Sequence, residues 1–237
     1  MKSLTFSTGN MYKHMDVGDI DKTIDFLKSL DLRIDGYNLS LIQPDRLELS
    51  ISEQTLNHIK SMRFNSIHGP VTEYSNNEKT KQMLDRLKQI YDQINAQQIV
   101  FHPAKIKDYS LLKNSGMNCL IELLSPRHDD NIDYYENILT KYPWLDFCHD
   151  ISHAGTVSMP RIKEFFEKFK KRTTQIHISY GDNNHWHAPM FKASKEFLAA
   201  AECVKEFDGE IVIESEMHEP EIIKKEVAFC RKWLETN

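Results

Sequence analysis

Apolar residues in this chain fall into short runs that alternate with longer segments of helical spacing, from one end to the other. LTFSTGN opens as a strand, and Asp19 is placed to cap a helix carrying Ile20, Ile24 and Leu27 on one face. A second strand fits LRIDGYNLSLI, a helix follows over SEQTLNHIKSM, and RFNSIHGP reads as a third strand. Residues 78–97 put Met83, Leu87, Ile90, Tyr91 and Ile94 along one helical face. QQIVFHP gives a fourth strand, followed by a connection around 108–114 with room for a single helical turn. MNCLIELLS is the fifth strand, with its helix over 132–142, and LDFCHDISH is the sixth. A helix after Ser158 carries Pro160 in its first turn, where proline is tolerated. TQIHISY is the seventh strand, trailed by a polar loop and a helix over 194–207. GEIVIESEM is the eighth, and a helix over 219–235 closes the pattern.

Eight β–α units without a linker or low-complexity stretch predict a single (β/α)8 TIM barrel over residues 1–237. Such barrels need about 250 residues, so little length is left for insertions. A doubly wound open sheet fits less well, because it usually has fewer strands and a Gly-rich first turn, and no GxGxxG is present.

The balance of 30 basic against 35 acidic residues argues against a generally basic nucleic-acid-binding surface. Neither a leader-like apolar stretch at MKSLTFSTGN nor a run of membrane-spanning length is found. Cys119, Cys148, Cys203 and Cys230 are scattered, without a CxxC pair; three of them sit in apolar contexts and read as small core residues, and no disulfide framework is expected. The expectation is a cytoplasmic protein with no membrane partner.

In such barrels chemistry sits at the C-terminal ends of the strands. Here the third strand ends in His68, the fourth in His102, and the fifth carries Glu122. The sixth carries Asp150 with His153 just past it, the seventh His177, its loop His185 and His187, and the eighth Glu214. Taken singly, each has an ordinary reading. A strand histidine is usually a satisfied core residue, Asp150 would cap the following turn, and His185 and His187 would be solvated. Glu122 in CLIELL and Glu214 in IVIES resist that treatment, because an unpaired carboxylate is costly in an apolar run. Together the imidazoles and carboxylates form a ligand set for first-row divalent metals. His149 points to the opposite strand face from Asp150. His14, His58, His128 and His218 lie away from the strand ends, and no GxSxG elbow supports a serine nucleophile. The aromatic residues sit at core spacing and suggest no stacking platform.

These residues resemble the xylose isomerase-like barrels, and within them the endonuclease IV (AP endonuclease family 2) enzymes, along essentially the whole chain. DISHA at Asp150–Ala154 looks like that family's D-x-x-H-A. The HP of FHPAK, the glutamate of LIELL, the histidine of QIHIS and the glutamate of VIESE follow in the family's order. The resemblance implies a zinc cluster of roughly two or three ions, with Mn, Fe or Mg as other candidates. His68, His102 and Glu122 would hold a first ion. Glu122 would bridge to a second, held with Asp150, His177 and Glu214. His153 and His187 would hold a third, completed either by His185, where the family has aspartate, or by Asp182.

HGPVTEY lacks the duplex-penetrating aromatic of the DNA enzymes, and Ala188-Pro189-Met190 replaces their glycine-rich segment. The leading expectation is therefore a hydrolase that attacks a small phosphoester with metal-activated water, using Glu122 and Glu214, rather than an efficient duplex DNA nuclease. The runner-up is a sugar isomerase or epimerase in which one Mn or Mg ion and two glutamates act on a sugar-like substrate. A non-catalytic metal-binding barrel ranks third.

Overall fold

The computed structural model describes residues 2–48, 50–124 and 131–236. The strands are β1 (Ser3–Ser7), β2 (Gly36–Ser40), β3 (Phe64–His68), β4 (Gln98–Phe101), β5 (Cys119–Glu122), β6 (Asp146–Asp150), β7 (Thr173–Ile178) and β8 (Glu210–Ile213). They form a closed parallel barrel in chain order, with β1 meeting β8 from Ser3↔Glu210 to Phe6↔Ile213. This is the (β/α)8 barrel that the alternation predicts.

The helices are α1 (Ile20–Ser29), α2 (Glu53–Ser61), α3 (Glu78–Gln93), α4 (Ser110–Asn114), α5 (Ile132–Lys141), α6 (Ile151–Val157), α7 (Met159–Phe169), α8 (Lys195–Ala200) and α9 (Pro220–Glu235). Side chains of Asp19, Ser52, Asn77, Asn131 and Ser194 accept first-turn backbone N–H groups that would otherwise lack partners. Among the boundaries that differ from the sequence reading, three have a clear local cause. α3 stops before residue 97 because Asn95 turns left-handed at φ 52°, a common helix terminator. The ISH of LDFCHDISH belongs to α6 rather than to a strand, since Asp150 Oδ1 accepts the His153 N–H at 2.8 Å and starts the helix. The helix expected over 194–207 tightens after Ala200 into a 3-10 turn over Ala201–Glu206. Threefold spacing there stacks Ala201, Val204 and Phe207 against the core.

Inside the barrel the period of two sorts side chains into three tiers. At the bottom Glu210 meets Thr5, Ser66, Gln98 and Gln175. Val100, Leu120 and Cys148 form an apolar plug above it. Two residues further along those strands come His102, Glu122 and Asp150, joined at the mouth by His68 and His177. The outward faces carry residues such as Phe147 and Ile176, covered by helices whose inner faces include Phe165, Phe166 and Phe169.

Two glycines let α6 approach the chain leaving β7. A Cβ on Gly155 would lie 2.4 Å from the Gly181 carbonyl, and one on Gly181 would lie 2.3 Å from Ser152 Oγ. All four cysteines are buried and free. Among the described residues no helix is long and apolar enough to cross a membrane.

Candidate metal centre

Eight of the nine expected ligands converge at the mouth. Glu122, the last residue of β5, occupies the centre. Its Oε2 receives His68 Nε2 at 3.2 Å and His102 Nε2 at 3.0 Å, while His177 Nδ1 lies 2.7 Å from Oε1. His177 Nδ1 is also 2.9 Å from Glu214 Oε2 and 3.9 Å from Asp150 Oδ2. His153 Nε2 stands 3.8 Å from Asp150 Oδ2, and His187 Nδ1 is 4.0 Å from Glu214 Oε2.

Three ligand groups emerge, each with donor atoms within 4.8 Å of one another: His68–His102–Glu122, Glu122–Asp150–His177–Glu214, and Asp150–His153–His187. Glu122 is common to the first two groups and Asp150 to the last two. Cys148 also comes within this reach of Glu122 and His177 from the tier below. Burial pushes its thiol well up, which keeps it protonated.

Several contacts hold the ligands in place. The His68 Nδ1–H donates to the Gly69 carbonyl at 3.2 Å, which turns Nε2 toward Glu122. Asp150 serves two roles: Oδ1 caps α6, while Oδ2 stays free to face the mouth. His187 adopts φ 46°, a left-handed conformation that costs an L-residue about 1 kcal/mol. Ser179 Oγ at 3.0 Å from its Nδ1, and the Glu216 N–H donating to its carbonyl at 2.7 Å, hold it there. Buried Glu226 of α9 accepts the backbone N–H groups of Met190 and Phe191, anchoring the same loop from behind.

The electrostatics show what the cluster lacks. Burial opposes a charge on Glu122, but His68 and His177 beside it, with a hydrogen bond from His102, hold it well below the ordinary carboxylate range. Burial opposes a charge on His177, yet the Glu214 and Glu122 carboxylates hold it well above its usual value. Burial pushes Asp150 up to about 8 and pulls His153 down to about 4. Glu122 Oε1, Asp150 Oδ2, His177 Nδ1 and Glu214 Oε2 are all buried without a well-formed hydrogen bond, despite their close approach. Such groups are costly unless a cation compensates them. Ligands at 2.0–2.1 Å from a tetrahedral zinc ion lie roughly 3.3 Å apart, within the 2.7–3.9 Å spread around His177 Nδ1. The donor set therefore fits divalent ions.

His185 is the ligand that the structure leaves out. Its ring is half exposed, stacks on Tyr180 and meets Asp182 Oδ1 at 2.8 Å. Asp182 also accepts the backbone N–H groups of Asn184 and His185 and the Tyr180 hydroxyl, so it too stays in the loop. Asp150, which also belongs to the central group, lies beside His153 and His187 in the third group. As expected, His149 faces the helices, buried near Phe147 and Phe166. His58 meets the Tyr37 hydroxyl, His14 lies against Phe26, and His218 is exposed. His128 lies outside the described residues.

Sequence reasoning missed two features. Trp186 is 49% exposed at the mouth, with its ring edge-on to His153 and His187, so an aromatic surface does border the site. The flanking histidines of HWH were the available signal. Gln175, two residues before His177 on the same strand face, contacts His177 Nε2 from below at 3.1 Å.

No protein-family model matches the sequence, and no curated protein matches it. Solved structures do match. The chain is similar to the 3-keto-D-glucoside 4-epimerase YcjR from E. coli, with TM-score 0.67, 12% identity and 100% of each chain covered. It is similar to endonuclease IV from Thermus thermophilus, with TM-score 0.69, 13% identity and coverage of 98% of this chain and 99% of that one. A likeness to the probable 3-DHS dehydratase AsbF from Bacillus anthracis has TM-score 0.72, 16% identity and coverage of 98% of this chain and 99% of that one. At these identities the likeness establishes the fold. The three differ in activity, so chemistry must be argued from the site. What the chain shares with all three is the closed parallel (β/α)8 barrel.

Proposed function

We propose that this chain is a metal-dependent hydrolase of a small phosphoester. The observation that carries the reading is the presence of three ligand groups linked through Glu122 and Asp150. A sugar isomerase of the runner-up type needs only the central quartet, and leaves His68, His102 and His187 without a purpose. Divalent ions bound here would activate water and neutralise phosphate charge. Zinc suits the imidazole-rich outer groups, with Mn or Fe as alternatives.

The protein's own part is positional and electrostatic. Glu122 stays ionised in an apolar barrel, its two oxygens facing different ligand groups. Glu214, the most exposed carboxylate of the quartet, would orient the attacking water and accept its proton. His153 and His187, next to Trp186, face the open side where a phosphate would enter. The acidic balance and the lack of a duplex-penetrating aromatic after β3 favour a substrate smaller than duplex DNA.

One zinc-loaded preparation assayed three ways tests this. Hydrolysis of a generic phosphodiester is expected, with abasic-duplex incision slow by comparison. Solvent deuterium appearing in keto-sugars without any phosphoester cleavage would replace the hydrolase with the isomerase. Rapid, salt-sensitive incision of the abasic duplex would overturn the small-substrate assignment.

A further inference from the structure

A hydrogen-bonded column links the bottom of the barrel to its mouth. Glu210 is fully buried and accepts four hydrogen bonds, two at each oxygen. Thr5 and Ser66 hydroxyls donate to Oε1 at 2.8 Å each, while Gln98 Nε2, at 2.6 Å, and Gln175 Nε2 donate to Oε2. This is the surrounding of a carboxylate that only accepts. It determines the orientation of Gln175, whose amide nitrogen must face Glu210. The amide oxygen then faces His177 Nε2 at 3.1 Å. Turned over, the amide would set its carbonyl against a carboxylate and its NH2 against the imidazole.

We infer that Gln175, anchored by Glu210, is a positioning residue that keeps the proton of His177 on Nε2 and leaves Nδ1 as the nitrogen facing Glu122, Asp150 and Glu214. Its use in metal binding rests on the metal reading above. The orientation itself rests only on the hydrogen bonds. Nδ1 lies 2.7 Å and 2.9 Å from two carboxylate oxygens, so without a metal ion it holds a second proton there, and a bound cation takes that proton's place while Nε2–H stays on Gln175. Gln175 thus holds the ring in the one orientation that a cation rewards. The short interval QIH places both residues on one face of β7, so the anchor and the ligand share one rigid strand. Gln98 supplies a control within the same tier. It donates to the same Glu210 oxygen, but its amide makes no hydrogen bond to His177.

The test combines imidazole 15N spectra of metal-free protein with zinc titration, on wild type, Gln175→Leu and Gln98→Leu. Wild type and Gln98→Leu should show a His177 Nε2–H protected from solvent exchange. Gln175→Leu should lose at least about tenfold of that protection and bind zinc about 10–100-fold more weakly, while Gln98→Leu stays within about twofold of wild type. A bare Nε2 with the proton on Nδ1 in wild type would overturn the inference, and that spectrum decides even if Gln175→Leu does not fold. Equal loss of zinc affinity in both variants would overturn it too, reducing Gln175 to a structural residue. A protected Nε2–H in a wild-type protein that takes up no zinc would support the positioning role while removing the metal reading.

Discussion

Glu210 and Glu122 are both buried inside the same barrel, on opposite sides of its apolar plug, and their surroundings are opposite too. Glu210 is met by hydroxyl and amide donors that satisfy both its oxygens. Glu122 is met by imidazole nitrogens, with Asp150 and Glu214 crowding the same space and Oε1 left without a well-formed hydrogen bond. A carboxylate whose acceptor capacity is filled by neutral donors is a structural hub. One surrounded by lone pairs and other carboxylates is arranged for a cation that the protein itself does not supply. Burial alone does not separate the two roles. The chemistry of the neighbours does.

That contrast can be broken most directly at Glu210. Glu210→Ala removes the shared acceptor of four buried donors; Thr5 Oγ1 and Gln175 Nε2 keep longer contacts to the Ile211 carbonyl and Ser66 Oγ, but at about 1–3 kcal/mol for each donor left unpaired urea unfolding should show a loss of at least about 3 kcal/mol. A near-neutral result would mean that the hub is not structural.

His149 provides a pH-dependent effect of similar size from the outer face of β6. Burial pulls its folded pKa from 6.5 down to about 4. The unfolded chain therefore binds a proton between these values while the folded one does not, and stability falls as pH drops from about 6.5 to 4. The full loss is about 3 kcal/mol below that window. His149→Phe should flatten this limb of the stability profile. An unchanged acid limb would show that another group governs it.

Glu122→Gln, unlike Glu210→Ala, should act chiefly on metal binding. It keeps the shape but removes the charge shared by two ligand groups, so zinc affinity should fall about 100-fold for two ions together. In the metal-free protein the same change removes the partner of His68 and His177, whose imidazoles favour the ionised carboxylate, so stability near neutral pH should fall as well. Full metal occupancy in this variant would end the bridging assignment.

How far the sequence could be read follows the same division. The barrel was legible because each strand is a short apolar run between helical segments, and the strand-end ligands were legible because histidine and glutamate are unusual in such runs. His153 was found through DISHA, although its helical placement was not, because Asp150 turns the chain only when its side chain caps α6. The Glu210 hub was hidden by distance. It joins β8 to Gln98 on β4, 112 residues away, and such a pairing across a closed barrel depends on register that no local pattern reveals. Gln175 was visible only in hindsight, as the polar residue on the same face of QIHIS as His177. The loop histidines failed for a different reason. HWH offers two imidazoles separated by a single residue, and which of them turns inward depends on a left-handed backbone at His187 and a turn closed by Asp182.

The smallest expected effect tests that last distinction. His185→Ala removes a ring that stacks on Tyr180 and meets Asp182 on the outside of the loop, so zinc content should stay within about twofold and stability should barely change. His187→Ala should instead deplete the ion expected at the Asp150–His153–His187 group while sparing the central quartet, which does not include it. Metal analysis of the two variants side by side makes the comparison quantitative. Equal depletion in both would mean that the loop rearranges on metal binding and brings His185 inward, releasing Asp182 from the turn. Depletion in neither would confine the metal centre to the groups around Glu122. The case for the hydrolase over the isomerase would then rest on the His68–His102–Glu122 group alone.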